Sequence, residues 1–264
     1  MSIAPVLSVK KLCVALSDQS ILGGISFSLS QGERVAMLGE SGSGKSMTAR
    51  AVLGLQPVQA QVTGSIHVNG IEVTGVSALA RSAQTRPAMI MQDTLAALNP
   101  LVTIGHQLEQ PLLRNGRSHT AARAEALTLL AKVGLDDPQI ASRSSPELSG
   151  GQRQRVCIAI ALASQASVII ADEPTSALDV VTQAQILTLL RQVSAAPEGP
   201  ALLFITHDLH AAAHLCDRAL VIRAGQIVEE APIARILTAP EHDYTRSLIV
   251  SAARCGIDCE RLYA

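Results

Sequence analysis

The chain is nearly devoid of aromatic side chains: its 264 residues include two Phe, two Tyr and no Trp. Val, Ile, Leu and Ala must therefore fill its core, and the 48% hydrophobic content supplies them in quantity. An excess of either charge is also missing. With a formal net charge of −1, there is no basic face broad enough to suggest nucleic-acid binding. Long apolar runs are absent: the densest, Val156 to Ala163, falls well short of the ~20 residues that a membrane-spanning helix needs. Met1 to Val6 contain no basic segment followed by an apolar run, so no secretory signal is expected. The five cysteines, Cys13, Cys157, Cys216, Cys255 and Cys259, are scattered and odd in number. That fits reduced thiols better than a disulfide framework. No repeat and no low-complexity linker interrupts the chain. Its length is generous for one domain but suits a single α/β unit with a subdomain.

What is present centres on Gly39-Glu40-Ser41-Gly42-Ser43-Gly44-Lys45-Ser46. The pattern G-x-x-x-x-G-K-S is a phosphate-binding loop of the kind found in nucleotide hydrolases. The apolar Val35 to Leu38 before it reads as a buried strand and Met47 to Leu55 after it as a helix, the context this loop requires. Glycines let the backbone turn successive N–H groups toward a polyphosphate, and the helix N-terminus adds a favourable partial charge. Lys45 is expected to reach the terminal phosphates, and the Ser46 hydroxyl to ligate Mg²⁺.

Elsewhere the patterns alternate between strand and helix periods. Val6 to Leu16, the alternating Ile25 to Leu29, and Gly64 to Val68 turned by Asn69-Gly70 into Ile71 to Val73 predict an antiparallel β region. Ala88 to Met91 is a short strand ending at Gln92. From Asp93 to about Arg143 the apolar spacing becomes helical and predicts a separate helical lobe. Ser149 is a candidate N-cap for a helix over Gly151 to Ser164. The continuous apolar runs Val168 to Ala171 and Ala201 to Thr206 predict central strands buried on both faces. An amphipathic helix over Val180 to Val193, a helix capped by Asp208, a hairpin over 219–229 and a helical tail complete the chain.

Asp172 and Glu173 end a buried strand. A carboxylate there is a second Mg²⁺ contact in phosphate-loop hydrolases. Successive residues of an extended chain point opposite ways, so Asp172 is expected to face the metal and Glu173 the attacking water as general base. The segment Leu148-Ser149-Gly150-Gly151-Gln152 offers free N–H groups and a hydroxyl at a helix N-terminus, a second anion site.

The phosphate loop, Gln92, Leu148 to Gln152, Val168 to Glu173, Ser176-Ala177-Leu178-Asp179 and His207 stand in one order. That set resembles the ATP-binding subunits of ABC transporters over nearly the whole chain. The resemblance implies a RecA-like phosphate-loop core with an antiparallel β subdomain and an inserted helical subdomain. The core would span 1–92 and 150–230, the helical signature lobe 93–149 and a helical tail 231–264. It implies that Gln92 touches Mg²⁺ and the attacking water, that His207 bonds the γ-phosphate, and that Ser149, Gly150, Gly151 and Gln152 clamp ATP held by a second subunit. Asp179 resembles the loop aspartate linking the two sites, and Thr48 joins the nucleotide contacts. The family stacks adenine on an aromatic residue where this chain has Leu16, and an apolar contact is expected to replace that stacking in part. ATP and Mg²⁺ are the implied cofactors. The implied partners are two transmembrane permease subunits, a second ATPase subunit, identical or homologous, and indirectly an extracytoplasmic solute-binding protein. The implied location is the cytoplasmic face of the inner membrane.

The tail segment Pro240-Glu241-His242-Asp243-Tyr244-Thr245 is similar to the Pro-x-His-x-Tyr-Thr stretch of ATPases serving oligopeptide, dipeptide and nickel importers. The short tail points to nickel or a metal chelate as cargo, with a dipeptide or oligopeptide importer as the alternative. A soluble ABC ATPase acting in translation or DNA repair, and a non-catalytic nucleotide-gated subunit, are the rival readings. Cys255 and Cys259 alone fall short of four metal ligands, so no metal is expected there.

Overall fold

The computed structural model describes residues 4–17, 19–196 and 199–254. The pair Cys255 and Cys259 lies outside the described residues. In chain order, β1 (Leu7–Leu16) and β2 (Gln19–Leu29) lead to β3 (Arg34–Leu38) and α1 (Lys45–Leu53). Then come β4 (Ala60–Val68), β5 (Ile71–Glu72), β6 (Ala88–Ile90), α2 (Thr94–Ala97), α3 (Ile104–Arg114) and α4 (His119–Lys132). The second half holds α5 (Gly150–Ala163), β7 (Val168–Asp172), α6 (Val180–Ser194), β8 (Ala201–Thr206) and α7 (Leu209–Leu215). It closes with β9 (Arg218–Arg223), β10 (Gln226–Pro232), α8 (Ile233–Thr238) and α9 (Asp243–Arg254).

Two sheets form. The antiparallel sheet has the order β2-β1-β4-β5, and the larger one β10-β9-β3-β8-β7-β6. Within the larger sheet, β9, β3, β8, β7 and β6 run parallel and β10 pairs antiparallel at one edge. Its central strands β3, β7 and β8 are apolar through their interiors because both faces are covered. Alternate residues enter two different cores. Ala36, Leu38, Ile169, Ala171, Leu202 and Phe204 pack with α3 to α7. Val35, Met37, Val168, Ile170, Leu203 and Ile205 pack with α1 and the antiparallel sheet. The strand period of two is thus present but hidden, since either direction meets hydrophobic neighbours.

Each terminus has a local cause. The helix expected over Met47 to Leu55 begins at Lys45 and stops at Leu53. Gly54 takes a left-handed conformation there and its N–H bonds the Ala51 carbonyl. In the helical lobe, Ser118 caps α4 through Ala121 N–H. Ile104, Leu108, Leu112, Ala126 and Leu130 of the lobe share one core with α5. Cys13, Cys157 and Cys216 are free thiols, and burial pushes the Cys157 thiol up to about 12. No helix among the described residues is long and apolar enough to cross a membrane.

Phe204 is the largest fully buried side chain, in a core with scarcely another ring to share its volume. Phe204→Ala is expected to cost about 3–5 kcal/mol by chemical denaturation, because the aliphatic neighbours cannot collapse onto a ring-sized hole. A loss under about 1 kcal/mol would show that the core does close around it.

Candidate functional site

The parallel register puts the C-terminal ends of four strands side by side: Leu38 opposite Thr206, Asp172 opposite Ile205, and Ile90 opposite Ala171. Loops leaving these ends converge on one edge of the sheet, where open α/β sheets bind ligands. Residues 39–44 leave β3, Glu173 leaves β7, His207 leaves β8 and the exposed Gln92 follows β6. The sequence-predicted residues Lys45, Ser46, Asp172, Glu173 and His207 are thereby brought to one place.

The phosphate loop is held tightly. Gly44 has φ +112°, a conformation that residues with a Cβ rarely adopt, and it packs against Leu22 Cδ2, so glycine is favoured just before α1. Lys45 is buried, and its Nζ donates to the carbonyls of Gly39 at 2.7 Å and Glu40 at 2.8 Å. The Thr48 hydroxyl donates to the Gly44 carbonyl at 3.0 Å, which ties the first turn of α1 to the loop. Leu16 ends β1, half-buried and opposite Gln19 and Ala60.

Electrostatics reinforces this arrangement. Burial lowers the Lys45 ammonium below its usual range, opposed by Glu173, Asp172 and Glu40 nearby. Burial likewise raises the Asp172 carboxyl; its hydrogen bond with the Ser46 hydroxyl pulls it back and Glu173 pushes it further up. Both groups are thus poorly solvated as ions. An anion beside Lys45 and a cation beside Asp172 would relieve each of them. The Ser46 hydroxyl and Asp172 carboxylate are hard oxygen donors in contact, which fits Mg²⁺.

Glu173 does not continue the strand. Its φ is +46°, a conformation that non-glycine residues hold only where the surroundings enforce it. The enforcing contacts are its own N–H on the Ile205 carbonyl at 2.9 Å, and Ser176, whose N–H and hydroxyl both bond the Glu173 carbonyl. The extended-chain alternation expected for Asp172 and Glu173 is therefore replaced by a left-handed turn. This turn sets Glu173 Oε1 at 3.0 Å from His207 Nδ1. The Glu173 side chain is 23% exposed and that of His207 63% exposed, so the pair sits at the mouth of the site.

The second group of predicted residues lies elsewhere. Ser149 caps α5 in a reciprocal box: its Oγ accepts from Gln152 N–H and the Gln152 side chain accepts from Ser149 N–H. Asp179 caps α6, accepting from the N–H groups of Val181 and Thr182 and from the Thr182 hydroxyl. The Thr182 hydroxyl bond, the first of these contacts, and the Thr182 N–H bond after it hold the Asp179 carboxyl below its usual range. The two helix starts touch closely, since a Cβ on Gly151 would fall 2.7 Å from Thr182 Cγ2; Gly150 faces the Leu178 side chain. Among the described residues, no hydrogen bond or ion pair joins Ser149–Gln152 to the phosphate loop.

With this geometry in view, comparison with known proteins is decisive. Residues 22–176 match the family model described as ABC transporter. The chain belongs to the ABC transporter family. It is 43% identical over 262 residues to the oligopeptide transport ATP-binding protein OppD of Mycobacterium tuberculosis, covering 95% of this chain and 42% of that one. It is 42% identical over 267 residues to OppD of Lactococcus lactis subsp. cremoris, covering 98% of this chain and 79% of that one. The chain therefore spans less than half the length of the mycobacterial relative. Among solved structures it is similar to the dimeric post-hydrolysis state of the ATP-binding cassette MJ0796 bound to ADP and Pi. The identity there is 28% and the TM-score 0.73, with 86% of this chain and 98% of that one covered.

Two supports of the phosphate loop in this ABC-family chain were missed by sequence reasoning. Gly225, in the turn between β9 and β10, donates its N–H to the Ser43 carbonyl at 2.8 Å and accepts from Gly23 N–H at 2.9 Å. The sequence signalled a hairpin at this turn but not what it touches. Tyr244 of α9 accepts a hydrogen bond from Glu40 N–H at 3.0 Å. Its segment stood out in the sequence, yet the partner is 204 residues away.

Proposed function

We propose that the chain is the ATP-binding and ATP-hydrolysing subunit of an ABC importer whose cargo is a dipeptide or oligopeptide. The observation that carries the hydrolytic reading is the Glu173–His207 contact at the mouth of the phosphate loop. A carboxylate held in a left-handed turn, with a largely exposed imidazole bonded to it, has the form of a base with its orienting partner. Lys45 offers a buried positive charge to the phosphates, supported by the N–H groups at the start of α1. Ser46 and Asp172 are the residues that would hold Mg²⁺, with Gln92 beside them, and bound there it would neutralise phosphate charge. Glu173 orients and deprotonates the attacking water, while the outward ring nitrogen of His207 is left for a γ-phosphate oxygen.

The signature residues Ser149 to Gln152 complete the site of a second ATPase subunit, identical or homologous, with Asp179 linking the two. Their separation from the phosphate loop within one chain supports this reading, as does the dimer formed by the MJ0796 cassette. The catalytic core and the helical lobe over 93–149 would then move as the pair closes and opens against two permease subunits. The chain acts at the cytoplasmic face of the membrane, supplied from outside by a solute-binding protein.

For cargo, the weight moves from nickel or a metal chelate to peptides. Relatives matching almost all of this chain carry oligopeptide names, whereas the nickel reading rested on the length of the tail alone.

Three outcomes are expected. Glu173→Gln is expected to keep ATP affinity within about threefold while lowering turnover of the assembled complex at least ~100-fold, and Lys45→Ala to weaken ATP binding itself by about tenfold or more. Near-normal hydrolysis in Glu173→Gln would remove that residue from the role of base. In cells lacking this subunit, uptake of labelled dipeptide is expected to fall with nickel uptake unchanged; the opposite pattern would restore the metal reading.

A further inference from the structure

The tail segment Pro240 to Arg246 is used nowhere in the mechanism above, yet it is built with care. Glu229 of β10 is buried, and its two carboxylate oxygens accept from the N–H groups of Glu241 at 2.8 Å and His242 at 3.0 Å. Burial works against the charge of this carboxylate, but the Glu241 and His242 N–H bonds prevail and hold it below the usual range. His242 Nδ1 then accepts from Tyr244 N–H at 3.1 Å, which starts α9. Arg246 Nη1 closes the turn on the carbonyls of Pro240 and Glu241.

This chain of bonds ends on the phosphate loop. Tyr244 is buried. Its hydroxyl takes the Glu40 N–H, and its ring lies under the Arg223 guanidinium, 4.9 Å from charge centre to centroid. Arg223 ends β9, and the Ala224-Gly225 turn beside it binds the Ser43 carbonyl. The loop is therefore clasped at both limbs. Gly225 holds Ser43, and Tyr244 holds Glu40, whose carbonyl is in turn one of the two acceptors of Lys45.

We infer that Tyr244 is a positioning residue of the nucleotide site, and that docking of the α9 tail sets the shape of the phosphate loop and hence its affinity for nucleotide. The physical basis is that the part-buried Glu40 N–H has a fixed acceptor in the Tyr244 hydroxyl, and a hydrogen bond of this kind holds the backbone in one orientation at a modest net gain. Without the tyrosine hydroxyl, the Glu40 N–H is left to solvent, the Glu40 peptide loses its fixed orientation, and the carbonyl that holds the Lys45 ammonium loses it too. Tyr244 does not touch the reacting atoms; it acts through Glu40 and Lys45. The inference rests on the reading of residues 39–46 as a nucleotide site.

The test is calorimetric titration of the full chain with ADP, comparing wild type, Tyr244→Phe and Arg223→Met. ADP avoids turnover, and Tyr244→Phe removes one oxygen while leaving the ring in place. Expected is a Kd raised about tenfold in Tyr244→Phe, or ~1.4 kcal/mol, at unchanged stoichiometry. Arg223→Met, on an exposed side chain, is expected to raise Kd about threefold and keeps the question open to decision if the tyrosine variant folds poorly. A merely structural role would lower the fraction of binding-competent protein and leave Kd alone, so a reduced stoichiometry at wild-type Kd overturns the inference. Wild-type Kd in both variants overturns it as well. A wild-type chain that takes up no ADP would instead remove the nucleotide reading, and the inference with it.

Discussion

A parallel sheet covered on both faces cannot place polar side chains along its strands, because each would be buried without a partner. In this protein that constraint is met by Val, Ile, Leu, Ala, Met and a single Phe, divided residue by residue between two cores. Chemistry is thereby pushed to the strand ends. Leu38, Asp172 and Thr206 are where the apolar runs stop, and the loops that carry charge begin there. The location of the site follows from that requirement.

At the strand ends the structure works with local rigidity. Gly44 is fixed by its close approach to Leu22, Glu173 by a left-handed turn with hydrogen bonds to its N–H and carbonyl, and Lys45 by two loop carbonyls. Burial makes the Lys45 ammonium and the Asp172 carboxylate each less comfortable as ions, so the site is poised to gain from a phosphate and a cation arriving together. The turn after β9 and the docked tail add support from sequence positions far from the loop.

Much of this was legible beforehand. The G-x-x-x-x-G-K-S spacing named the loop, the uninterrupted Val168–Ala171 run named a doubly covered strand, and Ser149 with Gln152 named a helix cap. Each of these is a short-range pattern. What could not be read has two causes. The conformation of Glu173 is imposed by Ile205 on the neighbouring strand and by Ser176, so an extended-chain argument did not describe its backbone. The Tyr244–Glu40 and Gly225–Ser43 contacts join residues whose proximity exists only once both sheets are folded. The choice between the two cargo readings was not legible for a different reason: no residue of this chain that the structure brings to the site bears on it.

The claim on which the account stands is that a nucleotide's phosphates sit against residues 39–46. Hydrogen–deuterium exchange of the full chain with and without Mg·ATP reads this directly. The account predicts slowed exchange at 39–46, with β4 and β5 unaffected. It further predicts that any slowing at 149–152 grows with the concentration of ATPase subunits, since that segment is proposed to serve a neighbour's site. Unchanged exchange at 39–46 under saturating Mg·ATP would contradict it.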